Sequence, residues 1–342
     1  MVCPDVDFNS ARRRFFLKKG IAQMKLIDIY NLAVKKGIEN DIRTRAQIRE
    51  YLGKAKKELR GLKGVDKKSF DSERLNNPYA DTRILYGDPG IEIKKVMVGV
   101  DMEGPELLAA DRLNARGEAI DLVIAHHPEG IAYARFYDVM ELQVAMLQKL
   151  GVPKEVGDDF LKERMQEVAR SVASANHFRS VDIARLLDMP FMCIHTPADN
   201  HVAAFLQKMF DRKKPGKLAQ VVSMLKAIPE YADGLEKNAG PRILIGEPDK
   251  DAGKVFVDMT GGTEGPKKIF PRLSQAGVGT IVGMHLSEEH FKAAKGEHIN
   301  VVIAGHMASD TLGLNLLLDS IQRSGVLEVI PCSGFIRVRR QG

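Results

Sequence analysis

The chain has 342 residues, 44% of them hydrophobic and none in a low-complexity tract, which excludes a disordered protein and leaves room for one large or two smaller globular domains. It contains no apolar run long enough to span a membrane and its first residues lack the apolar stretch of a signal peptide, so a cytoplasmic protein with no membrane partner is expected. The net charge of +6 is unevenly placed: residues 1–80 hold 19 Lys and Arg against 10 Asp and Glu, which leaves 32 against 35 for the remainder.

In chain order, residues 1–80 read as a basic helical extension packed on the core. Arg12, Arg13, Arg14, Lys18 and Lys19 precede MKLIDIYNLAVKKG, where Leu26, Ile29, Leu32 and Ala33 recur at helical spacing. Lys54, Lys56, Lys57, Arg60 and Lys63 line a second, polar helix. Such stretches can meet phosphates, but lysines opposite an apolar stripe are most simply a solvated face. No helix-turn-helix, RNP or zinc-finger signature accompanies them. With no Trp and 6% aromatic residues there are few stacking platforms, so nucleic acid is not an expected partner.

Beyond residue 80, apolar runs alternate with helical patterns, the mark of an α/β fold with three layers. Strands are expected near MVGV, LVIAHH, MCIHT, ILIG, VFVDM, TIVGM, VVIAGH and LEVIP. Helical patterns fill a middle stretch near 137–185, in DVMELQVAMLQKL and DDFLKERMQEVARSVAS, and one amphipathic helix is expected over KLAQVVSMLKAIPEY.

Runs of Val, Ile, Leu and Ala without polar interruption read as buried parallel strands, and in open α/β sheets chemistry collects beyond their carboxyl ends. DLVIAHHPEG breaks off into His126 and His127, and NVVIAGHMASD into His306. Three strand-end imidazoles suggest a shared metal ion. Asp310 follows His306 by four residues, on the same face of the helix that ASDTLGLNLLLDSIQ would form. FMCIHTPAD, a third apolar run breaking into polar residues, offers Asp199 or His195 as a further ligand. His and carboxylate ligands without cysteine suit Zn, Mn, Fe, Co or Ni.

The GGTEG loop at 261–265, with Lys267 and Lys268 after it, has two readings of equal weight. Its N–H groups could cradle a phosphate, or its glycines could supply positive φ for a tight turn. His195 and His290 are candidates to orient ligands or act as acid and base, and Glu264 is a candidate base. His201 and His298 read as surface. Cys3, Cys193 and Cys332 are isolated, without the spacing of a zinc ribbon or a disulfide scaffold, and Cys193 sits in an apolar run as a core residue.

DLVIAHHPEG, HTPADN and GHMASD resemble the three signature segments of the NGG-one-interacting-factor-three family, also called type 2 GTP cyclohydrolase I-like proteins. The resemblance extends over residues 80 to 342, taking in ILYGDPGIEIKKVMVGVDME and the GGTEG loop. It implies a core, residues 81–342, of two related α/β halves (about 81–240 and 241–342), into which this chain's own helical patterns place a helical insertion near 137–185. It also implies a ring-shaped homo-oligomer, usually a hexamer, and two divalent metal ions per subunit. By motif position the ligands would be His126, His127, Asp199, His306 and Asp310, and His290 matches a family histidine. Where the family usually has a glutamate bridging both ions, this chain has Asp310, one methylene shorter.

The function that follows is a dinuclear metal-dependent hydrolase acting on a small phosphorylated or nucleotide compound, GTP cyclohydrolase-like by resemblance. The alternative is a non-catalytic metal-binding protein that serves as a regulatory or interaction scaffold. The two differ in whether the metal site is open to a pocket or closed by protein ligands.

Overall fold

The structure, a computed structural model, describes residues 23–340. The cluster Arg12 to Lys19 and Cys3 lie outside the described residues. The elements are, in order, β1 (Met24–Lys25), α1 (Leu26–Glu39), α2 (Arg45–Gly61), α3 (Gly64–Lys68), β2 (Thr82–Tyr86), β3 (Glu92–Ile93), β4 (Lys95–Gly99), α4 (Gly104–Asn114), β5 (Leu122–Ala125), α5 (Gly130–Ala134), α6 (Glu141–Lys149), α7 (Lys154–Val172), α8 (Arg179–Leu186) and β6 (Phe191–Ile194). They continue as α9 (Thr196–Lys213), α10 (Leu218–Lys226), α11 (Pro229–Glu236), β7 (Arg242–Ile245), β8 (Lys254–Asp258), α12 (Phe270–Gln275), β9 (Val278–Gly283), α13 (Glu288–Gly296), β10 (Asn300–Ile303), α14 (His306–Gln322) and β11 (Glu328–Pro331).

The fold is α/β, with two main sheets. One has the order β11-β4-β5-β6-β2, in which β11, β4, β5 and β6 run parallel and β2 pairs antiparallel with β6. The other has the order β7-β10-β9-β8, parallel except for the edge strand β7. Strands β5 and β6, LVIA and FMCI, are apolar throughout and fully buried, as strands of a parallel sheet covered on both faces are. In the first sheet Val96, Val98, Leu122 and Ile124 face one cluster while Met97, Val123 and Ala125 face another, the period of two that a pleated strand imposes.

Helices α9 and α14 form the layer shared by the two sheets. Ala198, Leu314, Leu317 and Ile321 pack on the first sheet, and Val202, Leu206, Phe210 and Leu312 on the second. Each sheet is thus the middle of three layers. The contact between α9 and α14 is close enough to demand glycine: a Cβ at Gly313 would lie 2.5 Å from the Ala198 carbonyl oxygen.

Helix α1 buries Leu26, Ile29 and Ala33 in the first core and leaves Leu32 half-buried. Lys54, Lys56, Lys57, Arg60 and Lys63 are exposed, a solvated face. Cys193 is fully buried.

Two expectations need correction. The single helix over 217–231 is two, α10 and α11, because Ile228 is extended and Pro229, which lacks an N–H, opens the second helix. His201 is buried rather than at the surface: its Nδ1 donates to the Pro197 carbonyl (2.7 Å) and its Nε2 accepts from Asn40 Nδ2 (3.1 Å), so it ties α9 to the end of α1. His298 is exposed.

Gly313→Ala is expected to lower stability by about 1–3 kcal/mol, because overpacking must push α9 and α14 apart. Gly53→Ala, at an exposed site in α2 with nothing within 4 Å of the new methyl, should raise it by about 0.5–1 kcal/mol. Urea denaturation of both variants reads the two signs.

Candidate metal centre

The candidate ligands come from strand ends that the two sheets turn toward the shared helical layer. His126 and His127 follow β5, His195 follows β6, Asp199 lies in the first turn of α9, and His306 and Asp310 occupy successive turns of α14. The close crossing at Gly313 and Ala198 brings the starts of α9 and α14 together, and with them Asp199 and Asp310.

His126 is fully buried, and its Nε2 stands 3.4 Å from Asp199 Oδ1 and 3.5 Å from Asp310 Oδ1. The other oxygen of Asp310, Oδ2, is 3.5 Å from His306 Nε2 and 3.7 Å from His127 Nε2. Asp310 therefore presents one oxygen to each of two groups, His126 with Asp199 and His127 with His306. Each group of three could hold a metal ion, as could His126, His127 and His195.

These separations are too long for hydrogen bonds and match the roughly 3.4 Å between neighbouring N and O ligands set about 2.1 Å from one tetrahedral ion. The unsatisfied atoms point the same way. His126 Nε2, Asp199 Oδ1 and both oxygens of Asp310 are buried without a hydrogen-bond partner, a cost that native interiors avoid unless a cation or water meets the group. The residues thus fit a metal.

A second set of groups fixes the rings. His126 Nδ1 donates to the Ile194 carbonyl (3.1 Å), His127 Nδ1 lies 2.6 Å from Asp101 Oδ1, and His195 Nδ1 lies 2.8 Å from Asp81 Oδ2. Each leaves Nε2 facing the centre. Asp81, itself fully buried, also accepts from the N–H (3.3 Å) and hydroxyl (2.6 Å) of Thr196, which anchors the start of α9. Next to Asp199, Asn200 accepts from Thr260 Oγ1 (2.7 Å) and donates to Tyr79 Oη (3.3 Å), which in turn donates to Asp41 (2.8 Å), so the segment between α1 and α2 braces the site.

Charge is concentrated here. Burial would raise the Asp310 carboxyl, yet His126, His306 and His127 around it pull it down to about 2. Burial would lower His126, and the Asp310 and Asp199 carboxylates overcome it and hold that imidazole well above its usual value.

A cavity of about 100 Å³ runs from these ligands into the second half of the chain, bounded by Asp258, Glu264, Phe270 and His285 among others. Glu264 Oε1 accepts from the Ser287 N–H (2.6 Å) and its Oε2 lies 3.2 Å from His290 Nδ1. Burial raises this carboxyl, but the nearby His285 imidazole, the hydrogen bond from Ser287 and the charge of His290 bring it to about 2. His290 is engaged at both nitrogens, with Ser287 Oγ at 2.7 Å and the Gly265 carbonyl at 2.8 Å, so it pins the loop to α13. His285 is exposed to the cavity, its ring 5.0 Å from that of His306 and its Nδ1 3.6 Å from Glu264.

In the GGTEG loop Gly261 and Gly262 have φ of +96° and +87°, so the glycines supply left-handed backbone for a tight turn. Gln143 of α6 donates to the carbonyls of Gly261 (2.9 Å) and Thr263 (2.7 Å), and Arg164 of α7 donates to that of Glu264 (3.1 Å). Lys267 and Lys268 are exposed and pair with Glu289 and Glu163, each at 2.7 Å, on the outer side.

Sequence reasoning missed Asp81, Asp101, Asp258 and His285. Asp101 and Asp258 each end or follow a parallel strand, and His285 follows TIVGM, so the strand-end argument that found His126 reaches all three. Asp81 precedes a strand and carried no signal.

Among solved structures, the NIF3 superfamily protein from Sphaerobacter thermophilus is 25% identical over 84% of this chain and 98% of its own, with a TM-score of 0.65. The chain is similar to this NIF3 superfamily protein in fold and sequence. More distant solved structures that match this NIF3-like chain are TTHA1606 from Thermus thermophilus (15% identity, 84% and 97% coverage, TM-score 0.43) and reduced HcgD from Methanocaldococcus jannaschii (15%, 73% and 88%, 0.43). No family model and no curated protein matches it. Among the described residues no helix is long and apolar enough to cross a membrane.

Asp81→Asn and Asp101→Asn, which weaken the acceptors behind His195 and His127, are each expected to reduce zinc affinity about 10–100-fold. Competition against a chromogenic chelator measures this.

Proposed function

We propose that this NIF3-like chain is a dinuclear metal-dependent hydrolase of a small compound. One divalent ion would be held by His126, Asp199 and Asp310, the other by His127, His306 and Asp310, with His195 beside the first. The single observation that carries the reading is Asp310, whose two oxygens face different groups and are buried without any protein partner. Although one methylene shorter than the glutamate usual in the family, it reaches both.

Two divalent ions supply a nucleophilic water at neutral pH and polarise the bond that is broken. The protein's own contribution is placement. Asp101 and Asp81 hold His127 and His195 in one tautomer with Nε2 inward. Glu264 and His285 border the cavity, and His285, open to solvent and beside a carboxylate, is the group placed to carry a proton. Of the residues expected to act as acid or base, we assign His195 to the metal side and His290 to holding the loop.

The family resemblance points to a phosphorylated or nucleotide substrate, GTP first, in a cytoplasmic homohexameric ring. Since Lys267 and Lys268 are committed to Glu289 and Glu163, the ions themselves would be the cationic partners of a phosphate. The alternative, a non-catalytic scaffold, calls for a metal shell closed by protein, and the cavity reaching Asp199, His306 and Asp310 speaks for the enzyme.

The test is turnover by manganese- or zinc-loaded protein of a panel of nucleotides (GTP with formate release), phosphoesters, amides and esters. Hydrolysis of one class, reduced at least roughly 100-fold in His306→Ala and Asp310→Ala, is the expected result. Inertness of the fully loaded protein toward every class would leave the scaffold reading in place.

A further inference from the structure

Part of the cavity wall is apolar: Ile269, Phe270 and Leu273 are all more than nine-tenths buried and belong to the core of the second sheet. Its polar side is acidic. Asp258, at the carboxyl end of β8, lines the cavity and is exposed to it, and no hydrogen bond or ion pair engages its carboxylate among the described residues. Glu264 lines the same space, but both its oxygens are already committed to Ser287 and His290. Among the described residues no lysine or arginine lines the cavity. The nearest cations along the chain are turned elsewhere: Lys267 and Lys268 to surface carboxylates, and Arg164 to the Glu264 carbonyl and to Glu167. The inner end of the cavity is formed by Asp199 and Asp310, whose buried oxygens lack protein partners.

Among the described residues an anion would meet no lysine or arginine in this space, whereas a group rich in N–H would meet an open acceptor in Asp258. We infer that the cavity is a substrate subsite for a flat, N–H-bearing group, neutral or cationic, such as an amidine, amide or amine, bonded to Asp258 with its apolar body against Phe270, Ile269 and Leu273. This rests on the reading of the centre as a hydrolase and adds the class of substrate that the site admits: one whose end remote from the bond broken is nitrogen-rich rather than anionic. Asp258 is the specificity-determining residue. Surrounded by protein, its carboxyl is pushed up to about 6, with His290 and His285 opposing the rise and Glu264 adding to it. A cationic partner would restore the charged form.

Benzamidine is a suitable probe, because its amidinium matches a carboxylate in a two-pronged contact and, being protonated, does not ligate a metal. Benzyl alcohol, with the same ring and no charge, is its control. Calorimetry on metal-loaded protein is expected to show benzamidine bound roughly tenfold or more tightly than benzyl alcohol, a preference lost in Asp258→Asn, while Phe270→Ala weakens both. Metal content and melting temperature of the variants establish that they fold, and the comparison in the wild type needs no variant. Equal binding of the two probes, or benzamidine binding unchanged in Asp258→Asn, would overturn the assignment. Neither probe is turned over, so a failure here leaves the hydrolase reading standing if turnover of another compound is seen, and loss of turnover leaves this binding result intact.

Discussion

Everything in this molecule turns on a buried charge that the protein does not satisfy by itself. His126, Asp199 and Asp310 meet at 3.4 to 3.5 Å with no hydrogen bond to the atoms that face one another. Isolated carboxylates in an interior cost several kcal/mol unless paired. That cost is tolerated where function requires it, and the surroundings show how it is sustained. The two helices that carry the carboxylates cross with no room for a side chain at Gly313. Asp81 anchors the first of them, and the polar chain from Asp41 through Tyr79 and Asn200 to Thr260 locks the position from the opposite side.

The parts that differ most from a bare two-sheet core serve the same end. Helix α1 completes the first core, and the turn after it supplies Asp41 to the bracing chain. Helices α6 and α7 reach over to the second sheet, where Gln143 and Arg164 hold the loop carbonyls from outside while Glu264 turns its carboxylate inward. The cavity wall is therefore built by one half of the chain and clamped by the other.

How much of this could be read in the sequence follows from how local each feature is. The eight apolar runs became strands because uninterrupted Val, Ile and Leu have few other fates in a chain of this length. β2 escaped notice because Asp81, Thr82 and Arg83 open it with polar residues: Asp81 and Thr82 are buried against His195, far along the chain, and Arg83 against Asp71 and the Tyr79 carbonyl. The strand-end histidines were legible, as was the four-residue step from His306 to Asp310. Their meeting in space was not, since it depends on a helix contact between residues more than a hundred positions apart. His285 was legible and passed over in favour of His290, which lies further along, inside a helix, with both ring nitrogens taken up. His201 looked like surface because an isolated histidine in a helix carries no pattern that reveals a neighbouring helix end.

The central claim is that Asp310 serves two ions with one carboxylate. Metal content per subunit, measured by mass spectrometry after reloading with zinc and desalting, tests it most directly in the wild type and in Asp310→Ala. The account predicts close to two equivalents in the first and fewer than one in the second. One equivalent in the wild type, or two retained in the variant, would contradict it.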